Sequence, residues 1–117
     1  MYLGIGARRG VSSEEVINAV NCALKEVERD VSDIKMFASS TLKENETGLI
    51  EAIKEMGFEI KFLPDDVLNG FDVPSDSQAS RFGLKGVAEP AALALSDNKK
   101  LILEKKVYGR ITIAIAE

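Results

Sequence analysis

Leu3-Gly4-Ile5-Gly6-Ala7-Arg8-Arg9-Gly10-Val11-Ser12 is the stretch on which the fold turns: a short apolar run breaks into glycines and two arginines, then reaches a helix start. The order reads strand, anion-binding turn, helix. Tyr2 to Gly6 is apolar on both sides, as a strand buried on both faces is. Gly4, Gly6 and Gly10 open backbone conformations closed to other residues, so a ligand can come close to main-chain N–H groups. Ser12 and Ser13 can each cap the following helix, whose first turn carries Glu14 and Glu15. A helix start gathers unpaired N–H donors and the positive end of the macrodipole, and Arg8 and Arg9 add two full charges just before it. The turn therefore invites an anion.

Outward from this turn, Val16, Ile17, Val20, Ala23, Leu24 and Val27 recur at helical spacing, predicting an amphipathic helix from Ser13 to about Asp30. Ile34 to Ala38 reads as a second strand that ends in the polar run Ser39-Ser40-Thr41. Thr41 and Glu44 have the spacing of a capping box for a helix with Leu49, Ile50, Ile53 and Met56 on one face, stopping at Gly57. Phe58 to Leu63 is a third strand, after which Pro64 opens a short helical turn through Leu68, closed by Gly70. Residues 71 to 87 hold Pro74, Ser75, Ser77, Ser80, Gly83 and Gly86 with few periodic apolar residues, which marks a long loop of the kind that is functional or disordered. Pro90 suits the first turn of a helix running to about Ser96. Lys100 to Lys106 and Arg110 to Ala116 then read as strands joined in a hairpin through Val107-Tyr108-Gly109, the second central and the first, with Glu104, Lys105 and Lys106, near an edge. This order predicts a three-layer α/β/α domain on a mostly parallel sheet of about five strands.

The chain has 117 residues, 45% of them hydrophobic, which suits one domain with one core. No apolar run approaches the roughly 18 residues of a membrane span, and no basic region followed by an apolar segment opens the chain, so a cytoplasmic protein with no membrane association is expected. Cys22, the lone cysteine, excludes an internal disulfide and lies off the apolar stripe of its helix, where a solvated small residue is the ordinary reading and a reactive thiol the alternative. With no histidine there is no basis for a protein-built zinc, copper or iron site, so no cofactor is expected and any transition metal arrives inside a ligand. A net charge of −4 and a sequence pI near 5.0 argue against sequence-independent nucleic-acid binding. Six per cent aromatics without tryptophan offers few platforms for stacking single strands.

In an open parallel sheet, ligands bind beyond the carboxyl ends of the strands. If the first two strands are parallel, the Gly6 to Gly10 turn and the Ser39 to Glu46 segment face one crevice, lined by Arg8, Arg9, Ser39, Ser40, Thr41, Lys43, Glu44 and Glu46. Forked arginine donors suit carboxylates and phosphates equally. A dinucleotide fingerprint fits poorly, because Arg9 stands where glycine or alanine belongs and the second strand ends in Ala38-Ser39 rather than an acid. Each residue also has a plainer reading. The glycines can simply make a tight turn, Ser39 to Thr41 can be a helix entrance, Lys43 and Glu46 can pair with each other, and Glu89 can be an acid at a helix N-terminus.

Taken together, four ordered motifs resemble a known family. They are Gly4-Ile5-Gly6-Ala7-Arg8-Arg9-Gly10 before a Ser-Glu-Glu helix, then Ala38-Ser39 with Lys43, Glu46, Gly48 and Leu49, then Gly86-Val87-Ala88-Glu89-Pro90-Ala91-Ala92-Leu93, and last Ile111-Thr112-Ile113-Ala114-Ile115-Ala116. The resemblance is to the C-terminal domain of the cobalamin-biosynthesis protein CbiG, which the stand-alone protein CobE shares, and it spans the chain. Position 7 is alanine where many relatives have cysteine, and the stretch from Pro64 to Ser80 fits the family only loosely.

The resemblance implies cobalt-precorrin-5A hydrolase activity, in which the lactone ring of the modified tetrapyrrole opens and two carbons leave as acetaldehyde. It also implies that full-length members carry an N-terminal domain and that the cobalt belongs to the substrate. A corrin precursor edged with carboxylates suits the candidate binding residues Gly4, Gly6, Arg8, Arg9, Gly10, Ser39, Ser40, Thr41 and Glu89. Lactone opening needs a base for water and a donor for the oxyanion, for which Glu46 or Glu44 and Lys43 or Arg8 are the candidates. The expected partners are the cobalt-precorrin, the N-terminal domain or other pathway enzymes, and a second copy through the hairpin. A tetrapyrrole-binding domain without turnover and an assembly domain are the rival readings.

Overall fold

The computed structural model describes residues 1–41, 44–68 and 87–117. Its strands are β1 (Tyr2–Ala7), β2 (Met36–Ser40), β3 (Ile60–Leu63), β4 (Leu101–Tyr108) and β5 (Ile111–Ala116), and its helices α1 (Ser13–Glu26), α2 (Thr47–Glu55), α3 (Asp65–Leu68) and α4 (Ala88–Leu95). They form one five-stranded sheet in the order β3-β2-β1-β5-β4. β1, β2 and β3 pair in parallel, while β5 runs against both β1 and β4. The expected α/β architecture therefore holds, with a mixed sheet that is parallel at the β3 end and closes with the β4–β5 hairpin at the other. No helix among the described residues is long and apolar enough to cross a membrane.

Alternation along the strands sends different residues to the two faces of the sheet. Leu3, Ile5, Phe37, Ile111, Ile113 and Ile115 point towards α1 and α2, where they pack with Val16, Val20, Leu24, Leu49 and Ile53 into the larger core. The register pairs Gly4 with Ala38 and Ala114, and Tyr2 with Ala116, so the opposite face carries mostly small side chains. There α4 packs on β1, β2 and β5, through Ala91 against Ala38 and through Ala92 and Leu93 against Ala116. Both faces of β1 are buried, as its unbroken apolar run indicates.

Element boundaries differ from the sequence pattern for identifiable reasons. Ser12 caps α1 by accepting the Glu15 N–H at 3.1 Å. The helix stops at Glu26, not near Asp30, because Glu28 takes a left-handed φ of 54°. Arg29 N–H then bonds Leu24 O and Glu28 N–H bonds Lys25 O, a Schellman closure built without glycine. Gly57, with φ of 85°, closes α2 the same way through Phe58 N–H to Ile53 O and Gly57 N–H to Lys54 O. Asp30 next caps a 3-10 turn at Val31–Asp33, which delays β2 by two residues and draws Ser39 and Ser40 into the strand. β3 begins at Ile60 rather than Phe58. The hairpin turn falls at Gly109-Arg110, with Gly109 at φ 63°.

The Thr41–Glu44 capping box does not form. α2 begins at Thr47, with Glu46 as N-cap, and Glu44 N–H instead bonds Thr41 O in a separate turn. Gly48 explains how the first turn of α2 can lie where it does: a Cβ on it would stand 2.0 Å from Val11 O. Only glycine lets α2 come this close to the chain leaving β1.

Candidate functional site

β1 and β2 are parallel, so Arg8 to Gly10 and Thr41 to Glu46 leave the sheet at the same edge. The N-termini of α1 and α2 are brought there by their strands, and α4 also starts at this edge, since a Cβ on Gly6 would lie 3.9 Å from the Val87 Cβ. A direct contact joins the two loops: Gly10 N–H donates to Glu46 Oε2 at 3.3 Å, with Gly10 in the left-handed region at φ 77°. Arg8 and Arg9 are exposed on the turn and make no ion pair among the described residues.

The turn is braced from the hairpin. Arg8 N–H donates to Arg110 O at 3.1 Å, and Arg110 Nη2 reaches Gly10 O at 3.4 Å. The Arg110 guanidinium forks onto Glu15, with Nε to Oε2 at 3.0 Å and Nη2 to Oε1. The hydrogen bond from Arg110 holds the Glu15 carboxyl below its usual range, and Glu15 in turn raises Arg110. Gly10 is thus gripped on its carbonyl by Arg110 and on its N–H by Glu46. Neither Arg110 nor Glu15 stands out in the sequence as a site residue; the signal is the β1–β5 register, which sets Ile111 beside Ala7 and hence Arg110 beside Arg8.

Other candidates are committed inside the fold. Gly4 is buried against α4, where a Cβ would stand 1.8 Å from Ala88 O and 2.6 Å from Ala92 N, so its missing side chain admits a helix and not a ligand. Ser39 is fully buried and its hydroxyl donates to Ile5 O at 2.6 Å, which ties β2 to β1. Ser40 is buried beside it, whereas Thr41 is partly open at the crevice. Glu89 is only 2% exposed, and its Oε2 accepts the Lys105 N–H at 3.0 Å, linking the start of α4 to an irregular stretch of β4. These three placements give Gly4, Ser39 and Glu89 contacts within the fold. Glu46 is the N-cap of α2; Lys43, its expected partner, and residues 71–86 of the loop expected over 71–87 lie outside the described residues. Ala7 is buried in the larger core, so a side chain at this position points beneath the turn.

What remains open at the edge is the Arg8-Arg9-Gly10 turn, Thr41, Glu44 and Glu46. Chemically this is a cationic rim with a left-handed glycine N–H and nearby carboxylates, able to fix a carboxylate and to take a proton from water.

A family model described as "Cobalamin synthesis G C-terminus" matches residues 1–116. Cobalt-precorrin-5A hydrolase of Priestia megaterium is 33% identical over 99% of this chain, which covers 32% of that protein. A probable cobalt-precorrin-5A hydrolase of Methanocaldococcus jannaschii is 31% identical over 97% of this chain and 39% of its own length. The chain thus spans about a third of these curated relatives. Among solved structures, CobE, a protein from the cobalamin biosynthetic pathway, superposes with a TM-score of 0.87 at 30% identity, covering 97% of this chain and 86% of CobE. The cobalamin biosynthesis protein ChiG of Agrobacterium tumefaciens gives a TM-score of 0.75 at 26% identity over 97% of this chain and 94% of its own.

Proposed function

Because the chain belongs to the CbiG C-terminal family, we propose that it acts in cobalamin biosynthesis, in the cytoplasm, by binding a cobalt-precorrin at the Arg8-Arg9-Gly10 edge and taking part in hydrolytic lactone opening of cobalt-precorrin-5A with loss of acetaldehyde. The observation that carries the binding site is the meeting of the β1–α1 and β2–α2 loops through Gly10 and Glu46, with Arg8 and Arg9 exposed beside them and in no ion pair among the described residues. A corrin precursor presents several acetate and propionate carboxylates around an apolar ring, and planar guanidinium groups bind carboxylates in pairs of hydrogen bonds. The cobalt is part of the substrate.

In the hydrolytic reading, water adds to the lactone carbonyl as a base removes its proton, and the ring C–O bond breaks with its electron pair leaving on oxygen. Glu46 is the base and Arg8 steadies the negative charge on the carbonyl oxygen. A second reading, binding without turnover, is supported by the share of the hydrolases that this chain covers, about a third of their length.

Titration with a cobalt-corrinoid intermediate, followed by its visible absorption bands, tests the site against an Arg8→Ala/Arg9→Ala double variant. Saturable binding lost in the double variant supports it, and undiminished binding moves the site elsewhere. Release of acetaldehyde from cobalt-precorrin-5A, abolished in Glu46→Gln, separates the hydrolase from the binding module; full activity in that variant removes Glu46 from the mechanism.

A further inference from the structure

The Gly10 N–H, the donor best placed to meet an incoming anion, is already occupied, and the group on it is a carboxylate of the protein itself. Glu46 is the N-cap of α2, yet its side chain makes no capping hydrogen bond. An N-cap carboxylate ordinarily takes an N–H of its own first turn, which is also the positive end of the helix. Glu46 does not take that place and reaches instead across the crevice to Gly10. Its carboxylate thus has two kinds of donor within its own neighbourhood, the Gly10 N–H it takes and the first turn of the helix it begins.

We propose, on the reading of the glycine turn as a carboxylate site, that Glu46 is the stand-in occupant of this site and that binding exchanges it. A carboxylate of the macrocycle takes the Gly10 N–H, and Glu46 swings back to cap α2. Two carboxylates cannot share one donor without repulsion, so seating the ligand and moving Glu46 are one event. The exchange loosens nothing else. Arg110, locked on Glu15, holds the Gly10 carbonyl throughout, so the N–H stays aimed while its acceptor changes. The contact being exchanged is long, at 3.3 Å, and solvent-exposed, which suits a bond that must be given up at each binding event. In the hydrolytic reading the consequence is coupling: the base is released from Gly10 only when a substrate carboxylate is in place.

The test compares Glu46→Gln with the unaltered protein, using a cobalt corrinoid that bears free carboxylates and its fully amidated counterpart. Loss of the competing charge is expected to tighten the carboxylate form by about two- to fivefold, the scale of an exposed charge contact, and to leave the amidated form unchanged. Tighter binding together with slower turnover is a signature that a purely structural Glu46 does not give. Equal or weaker binding of the carboxylate form, or an equal gain for the amidated form, overturns the exchange while leaving the tetrapyrrole site intact. If neither corrinoid binds either protein, the proposed function falls, and acetate alone decides the exchange through the Gly10 amide resonance. A shift at lower acetate concentration in Glu46→Gln upholds it, and identical curves or no shift in both overturn it.

Discussion

The two faces of the sheet are made from the same strands and obey opposite rules. Towards α1 and α2 the strands present Leu, Ile and Phe, and a layer of side chains fills the space between sheet and helices. Towards α4 they present Gly and Ala, and the helix backbone comes down almost onto the strand backbone, with Ala88 O where a Gly4 Cβ would be. On the first face stability depends on volume being present, and on the second on volume being absent. The second face also positions the ligand edge, because the depth at which α4 lies decides where Val87 and the start of that helix stand beside Gly6.

Phe37→Ala should break the first face most severely. Phe37 is fully buried and meets the Phe58 ring edge-on at 5.6 Å, so its truncation is expected to cost about 3–5 kcal/mol in urea or thermal unfolding. Gly4→Ala should do the reverse by adding one methyl. It forces backbone apart and is expected to cost about 1–3 kcal/mol, with the α4 amides losing hydrogen-exchange protection before those of α1. If Gly4→Ala proves neutral, the tight helix–strand approach is wrong. Gly6→Ala sharpens the contrast on the same strand and face. A Cβ there meets nothing closer than 3.9 Å and φ is not positive, so the change should be neutral or stabilise by about 0.4–1 kcal/mol through the unfolded chain.

Tyr108, which packs against the larger core, gives the smallest effect at neutral pH. Its phenol oxygen is buried with no hydrogen-bond partner among the described residues. Burial first, and then the Glu26 carboxylate, push its pKa up to about 12 from 10.0. The unfolded phenol therefore loses its proton at lower pH than the folded one, so the contribution is complete below pH 10 and is lost as pH rises towards 12. Urea midpoints measured across that window should fall less in Tyr108→Phe than in the unaltered protein.

Much of this was legible in the sequence because it depends on near neighbours. The strand–turn–helix at Leu3 to Ser12, the stop at Gly57 and the hairpin are each encoded within a few residues. The convergence of the Gly10 and Glu46 loops follows once β1 and β2 are known to be parallel. What was not legible is set by partners far along the chain. Gly4 looks like a ligand-facing glycine until α4, more than eighty positions later, is laid on it. Glu89 looks like an ordinary first-turn acid until Lys105 offers it an N–H. The start of α2 is hidden from local sequence because Thr41 and Glu44 have the chemistry of a cap, whereas the approach of Gly48 to Val11 belongs to tertiary packing.

The hydrogen bond from Lys105 to Glu89 also bears on how the protein behaves in a crowd. Among the described residues β4 is the outer strand at its end of the sheet, and an exposed strand edge is a template on which other chains can polymerise. At Lys105 the pairing of β4 with β5 slips, and the N–H is turned inward to a carboxylate of the same molecule. A would-be neighbouring strand meets a broken ladder flanked by Glu104 and Lys106. The carboxylate that fixes α4 in place thus also makes this margin of the sheet a poor seed for fibres.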